Sequence, residues 1–104
     1  MFVVLYRWRV KSNLEQQFVE SWSAITSYLR SEYDSLGSRL HRGDDGIWYG
    51  YAQWKSAGQR EQAFASQSEM ISEASQKMRE AVAESFPEIQ LKIAADYLLS
   101  PEKK

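Results

Sequence analysis

A chain of 104 residues has the length of one domain, and 43% hydrophobic, 26% charged and 13% aromatic residues are globular values. Four Trp, six Tyr and four Phe stand against one His and no Cys, and the net charge is −1. That balance excludes a disulfide scaffold, a zinc finger, a catalytic thiol and a two-histidine metal site built by one chain, and it gives no chain-wide basic surface for nucleic acid.

Phe2 to Val10 is rich in β-branched and aromatic residues and predicts a strand. Phe2, Val4, Tyr6, Trp8 and Val10 fall on one side of it, and Val3, Leu5, Arg7 and Arg9 on the other. The N-terminal apolar run meets Arg7 too early for a secretory signal, and no apolar run nears the ~20 residues that span a bilayer, so a soluble cytoplasmic protein is expected. Ser12 followed by Glu15 has the form of a capping box and predicts a helix start. Leu14, Phe18, Trp22, Ile25 and Leu29 make its apolar stripe, and Tyr33, Asp34 and Ser35 end it.

A second strand is predicted over residues 36–42 and a third over 47–54, joined by Gly43, Asp44, Asp45 and Gly46 as a hairpin turn. Asp44 and Asp45 suggest a metal pair, but this is turn chemistry first, and two carboxylates do not complete an oxygen cage. Ser56 and Gln59 open a second helix, with a break expected near Ser66, Gln67 and Ser68. Its stripe runs through Ala63, Phe64, Met70, Ile71, Ala74, Met78, Ala81 and Val82, and Pro87 ends the helical run. Ile89, Leu91 and Ile93 alternate with polar neighbours as a fourth strand, which residues 95–99 extend as an apolar arm.

The order β-α-β-β-α-β is ferredoxin-like: an α+β fold with an antiparallel four-stranded sheet and two helices on one face. One domain over residues 1–99 is expected, with 100–104 as a flexible tail. The more apolar strand face goes to the helices: Phe2, Val4, Tyr6, Trp8, Leu36, Leu40, Trp48, Trp54, Ile89, Leu91 and Ile93. The other face then carries Val3, Leu5, Arg7, Arg9, Arg39, His41, Ile47, Tyr49, Tyr51, Gln53 and Lys92. Its mix of aliphatic, Tyr and Arg residues predicts a partner, best read as a second copy docked sheet to sheet. Tyr49 and Tyr51 flanked by arginines also suit a single-stranded RNA platform, but the net negative charge and the missing Gly-aromatic string argue against nucleic acid.

Val3 to Lys11, Phe18 to Trp22 and Gly46 to Trp54, in that order around a first helix, resemble the antibiotic biosynthesis monooxygenase domain of the dimeric α/β-barrel superfamily over residues 1–99. The resemblance implies a homodimer whose two sheets form a barrel, and in each subunit a pocket between sheet and helices. It implies one of three activities: cofactor-independent oxygenation of a small aromatic or phenolic substrate, ligand binding without chemistry in a structural dimer, or haem degradation. For the haem branch the family pattern is an Asn on the first strand, a Trp ending the third and a His on the second helix. Here Tyr6 stands at the Asn position, Trp54 matches the Trp, and the second helix has no His, which removes the axial ligand. No cofactor and no metal are therefore expected.

The candidate substrate-binding residues are Tyr6, Trp8, Trp22, Trp48, Trp54 and Phe64, with no catalytic residue assigned. Gly50 and Ala52, small residues on the face of Trp48 and Trp54, are expected to leave space beneath the helices, or else to admit close packing there. His41, the chain's one histidine, is a candidate general base by residue type, but it has no evident partner and reads first as a surface or dimer contact.

Overall fold

A computed structural model describes residues 1–65 and 69–99. The expected break at Ser66 to Ser68, the side chain of Met70 and the expected tail at 100–104 lie outside the described residues.

The first strand, β1 (Phe2–Val10), runs through the middle of the sheet. A single 3-10 turn over Ser12–Leu14 leads into α1 (Glu15–Tyr33). The Ser12–Glu15 capping box does not form: the helix begins without a side-chain cap, because the 3-10 turn already closes Leu14 N–H onto the Lys11 carbonyl at 2.9 Å. The helix ends as read. Asp34 takes a left-handed conformation (φ 56°) and donates its N–H to the Leu29 carbonyl, satisfying an end carbonyl that the helix leaves open.

The hairpin of β2 (Gly37–Arg42) and β3 (Trp48–Trp54) forms with Gly46 at φ 81° in its turn. The Asp45 carboxylate accepts from the Ile47 N–H at 2.9 Å and from the Tyr49 hydroxyl at 2.7 Å, so the aspartate serves the turn. The second helical stretch is present as α2 (Ala57–Ala65) and α3 (Glu69–Ala81). The second capping pair does close: Gln59 N–H donates to Ser56 Oγ at 3.1 Å, and Gln59 Oε1 accepts from the Lys55 N–H.

Two expectations about the C-terminal part are overturned. The helical run does not reach Pro87. It stops at Ala81, and β4 (Val82–Ser85) follows at once, antiparallel to Trp8–Val10. The Ala81 carbonyl accepts from the Lys11 N–H at 2.8 Å, so the chain leaves the helix straight into the sheet ladder. The strand expected at 89–93 is β5 (Ile89–Lys92), paired with Phe2–Leu5. One edge of β1 thus carries two short strands in line, with Pro87 between them, and the sheet has five strands where four were read. Pro lacks the ladder N–H, so the edge breaks where it sits. Beyond Lys92 the arm is not a strand, and Tyr97 is 92% exposed.

The sheet runs β2-β3-β1-β4, with β5 also on β1, and it is open at both edges. Trp8, Phe18, Trp48 and Ala81 form the buried cluster between sheet and helices, with Tyr6, Val10, Leu14, Trp22, Leu40, Met78 and Val82 packed on it. β3 alternates as a strand with one buried face should, with Trp48, Gly50, Ala52 and Trp54 inside. The register corrects one side assignment. Leu91 pairs with Val3 and Ile89 with Leu5, and directly paired residues share a face. Ile89 and Leu91 therefore lie on the face away from the helices, while Lys92 and Gln90 lie with Phe2 and Val4.

Candidate functional site

Aromatic side chains fill the space between the sheet and the helices. Tyr6 and Trp8 are two residues apart on β1, hence on one face, and their rings stack at 5.7 Å with 10° between planes. Phe18 of α1 descends between the two tryptophans, edge-on to Trp8 at 5.2 Å and to Trp48 at 5.5 Å. Gly50 lies beneath. A Cβ built on it would stand 2.9 Å and 3.0 Å from the Trp8 ring and 3.6 Å from Trp22 Nε1. Of the two readings of Gly50, close packing is the one realised: the volume a side chain would fill is taken by Trp8.

Space opens one strand further on. Between α1, α3 and β4 lies a cleft of about 500 Å³, floored by Trp8 and walled by Ile25, Met78 and Val82. A second hollow of about 290 Å³ adjoins it along the α1–α3 seam, with Tyr28, Leu29, Phe64 and Ile71 in its walls. Ile25, Ser75 and Arg79 line both, so the two adjoin, and together they are called the trough below. The lining is mainly apolar with a few polar groups, the usual makeup of a small-molecule site.

The expected binding residues divide. Trp8 lines the first cleft and Phe64 the second. Tyr6, Trp22 and Trp48 pack in or on the aromatic cluster and line neither cleft. Trp54 sits at the far end of β3, 1% exposed, edge-on to Phe64 at 6.2 Å, with its indole N–H buried and without an acceptor among the described residues. His41 pairs with Tyr49 on the face away from the helices, and Tyr49 is opposite Arg7 in the register, so the chain's one histidine is across the sheet from the clefts. Among the described residues no group of three His, Cys, Asp or Glu side chains could hold a metal ion.

A polar cluster stands behind the aromatic floor. Arg60 of α2 donates to the Tyr6 hydroxyl at 2.8 Å and grips Glu88 with two bonds, at 2.7 and 3.0 Å. Its guanidinium lies 4.7 Å from the Phe64 ring centre and 5.7 Å from that of Tyr6. Burial pushes the Tyr6 phenol up from its ordinary value, with Arg60 pulling the other way. The Arg60 hydrogen bonds hold the Glu88 carboxyl below its usual range. Since Arg60 supplies the donor, the Tyr6 proton remains available to an acceptor. Sequence reasoning missed Arg60 and Glu88. The only local signal was Arg60 four residues before Phe64, a spacing that puts cation and ring on one helix face.

No family model matches the sequence, and no curated protein matches it either. Solved structures do match. SnoaB, a cofactor-independent oxygenase from Streptomyces nogalater, is similar with a TM-score of 0.75 at 12% identity, over 92% of this chain and 95% of that one. A protein described as an antibiotic biosynthesis monooxygenase gives 0.73 at 11% identity, over 91% of this chain and all 100% of the other. A conserved protein from Methanosarcina mazei gives 0.72 at 16% identity, over 88% and 90%. The chain is thus built on the ferredoxin-like fold of the antibiotic biosynthesis monooxygenases, as the resemblance of its strands and aromatic residues implied.

Proposed function

We propose that this protein binds a small aromatic or phenolic substrate in the trough between sheet and helices and oxygenates it without a cofactor. The observation that carries the reading is the cleft of about 500 Å³ floored by the Trp8 ring. Trp8 is held flat by Tyr6 and edge-on by Phe18, so its orientation is fixed before a ligand arrives. A planar substrate meets the part of Trp8 left exposed there, 9% of the residue, between the apolar side chains of Ile25, Met78 and Val82. The substrate supplies the electrons. A phenol loses its hydroxyl hydrogen and one ring hydrogen, the ring carbon takes one oxygen atom of O₂, and the other leaves as water. The protein has to position the ring and favour its anion. The likeness to a cofactor-independent oxygenase supports the same reading.

The test is oxygen uptake and quinone formation over a panel of phenols and hydroquinones. Turnover that falls when Met78→Trp fills the cleft is the expected result. A second reading, ligand binding without chemistry, is favoured by the lining itself, which among the described residues has serines but no histidine or lysine to serve as their base. Tight binding of the panel with no oxygen uptake would assign that reading; no binding at all would defeat both.

The partner in this proposal is a second copy, docked on the sheet face away from the helices. Leu5, Tyr51, Ile89 and Leu91 share that face, and the corrected register of β5 makes it more apolar than the sequence suggested. Light scattering should give twice the mass of the chain, and Leu91→Asp should halve it. No helix of the described residues is long and apolar enough to cross a membrane.

A further inference from the structure

The trough carries charge in one place. Arg79 and Glu84 are the only ionisable acids or bases in the two linings apart from the phenol of Tyr28. Glu84 is already matched by Arg9, whose Nε lies 3.2 Å from its carboxylate. Arg79 is exposed and has no hydrogen bond or ion pair among the described residues, as is also true of Arg30 and Arg39, whereas Arg7, Arg9, Arg42 and Arg60 each have an acceptor; of the three, only Arg79 lines the trough. Ser75, one helical turn earlier, has no hydrogen-bond partner among them either. Both residues line both hollows, as the i, i+4 spacing on α3 requires. Ser75 and Arg79 therefore share one face of α3 along the trough. The last carbonyl of α3, which would repel an anion, is occupied by the Lys11 N–H.

We infer that the trough selects an aromatic acid, its ring on Trp8 and Met78 and its carboxylate between the Arg79 guanidinium and the Ser75 hydroxyl. This rests on the reading of the trough as the ligand site and narrows it from aromatic compounds to anionic ones. A guanidinium offers paired N–H groups to a carboxylate in matching geometry, and hydrogen bonds to charged groups are stronger than neutral ones. An uncharged phenol of the same size gains the ring contact alone.

The experiment is calorimetric titration of the protein with 2-naphthoate and with 2-naphthol, which is neutral at pH 7. The expected result is about tenfold tighter binding of naphthoate, the scale of one charge-assisted contact. Arg79→Gln should bring naphthoate down to the affinity of naphthol and leave naphthol unchanged, while Ser75→Ala gives a smaller loss in the same direction. Arg30→Gln removes the same charge from residues lining a separate hollow near Ser35 and Lys55, and should leave both affinities as they were. Equal binding of the two compounds, unchanged by Arg79→Gln, would overturn the inference and leave the trough as a ligand site. An equal loss in Arg30→Gln and Arg79→Gln would overturn it too, as a mere effect of net charge. Failure of both compounds to bind would overturn the ligand site itself, and the inference with it.

Discussion

Two parts of the same interlayer space differ. Over β3 the helices sit on a filled floor: Gly50 brings the Trp8 ring against backbone, and Phe18 closes the gap to Trp48. Over β4 the same Trp8 ring faces open volume. A small residue in a strand does not by itself make a cavity; it lets the neighbouring layer come closer, and close packing then removes the space. The open region lies between α1, α3 and a strand of only four residues, Val82–Ser85.

That contrast can be broken by substitution. The largest effect is expected from Phe18→Ala, because Phe18 is fully buried and contacts both tryptophans. A loss of about 3–5 kcal/mol is expected, read as a lower urea midpoint. Gly50→Ala should follow at about 1–3 kcal/mol, since its methyl group would overlap the Trp8 ring and that ring is clamped. A neutral Gly50→Ala would show that the filled region is looser than its contacts. Met78→Ala trims a partly buried side chain from the cleft wall, where space already exists, and should cost less than Phe18→Ala, about 2 kcal/mol. A Met78 loss as large as that of Phe18 would erase the distinction between the two regions.

The smallest effect is electrostatic. The carboxyl of Glu88 titrates below its ordinary 4.5 because Arg60 holds the ionised form. A depressed folded pKa stabilises the protein above the unfolded value, and that contribution is lost as pH falls through the folded one. The stability gap between the parent chain and Glu88→Gln should therefore be constant near neutrality and close below pH 4.5. Glu88 is one-third exposed, so solvent screening keeps the gap small.

Most of the fold was legible because its signals are local. The alternation of Phe2–Val10 marks β1, the stripe through Phe18 marks α1, and the turn around Gly46 marks the hairpin. β4 was not legible. Val82 continues the apolar stripe of Met78 and Ala81, and no breaker intervenes before Pro87. Pairing with Trp8–Val10, far away in the chain, decides the strand. The side taken by Ile89 and Leu91 was hidden for the same reason, since alternation gives two faces but only the partner strand says which is inward. At the candidate site the aromatic floor was visible in the sequence as Trp8. Ser75 and Arg79 were not, because on a one-dimensional reading they belong to the solvated side of a helix.

The Gly50–Trp8 contact also bears on how such a protein changes over time. The floor of the trough is tied to the stability of the whole fold, since moving Trp8 disturbs Gly50, Phe18 and Tyr6 together. Ser72, Ser75 and Arg79, which line the hollow from α3, are not part of that aromatic packing. Substitution at these helix positions is therefore expected to cost less stability than substitution in the aromatic platform, so the lining of the trough is free to change while the platform is held.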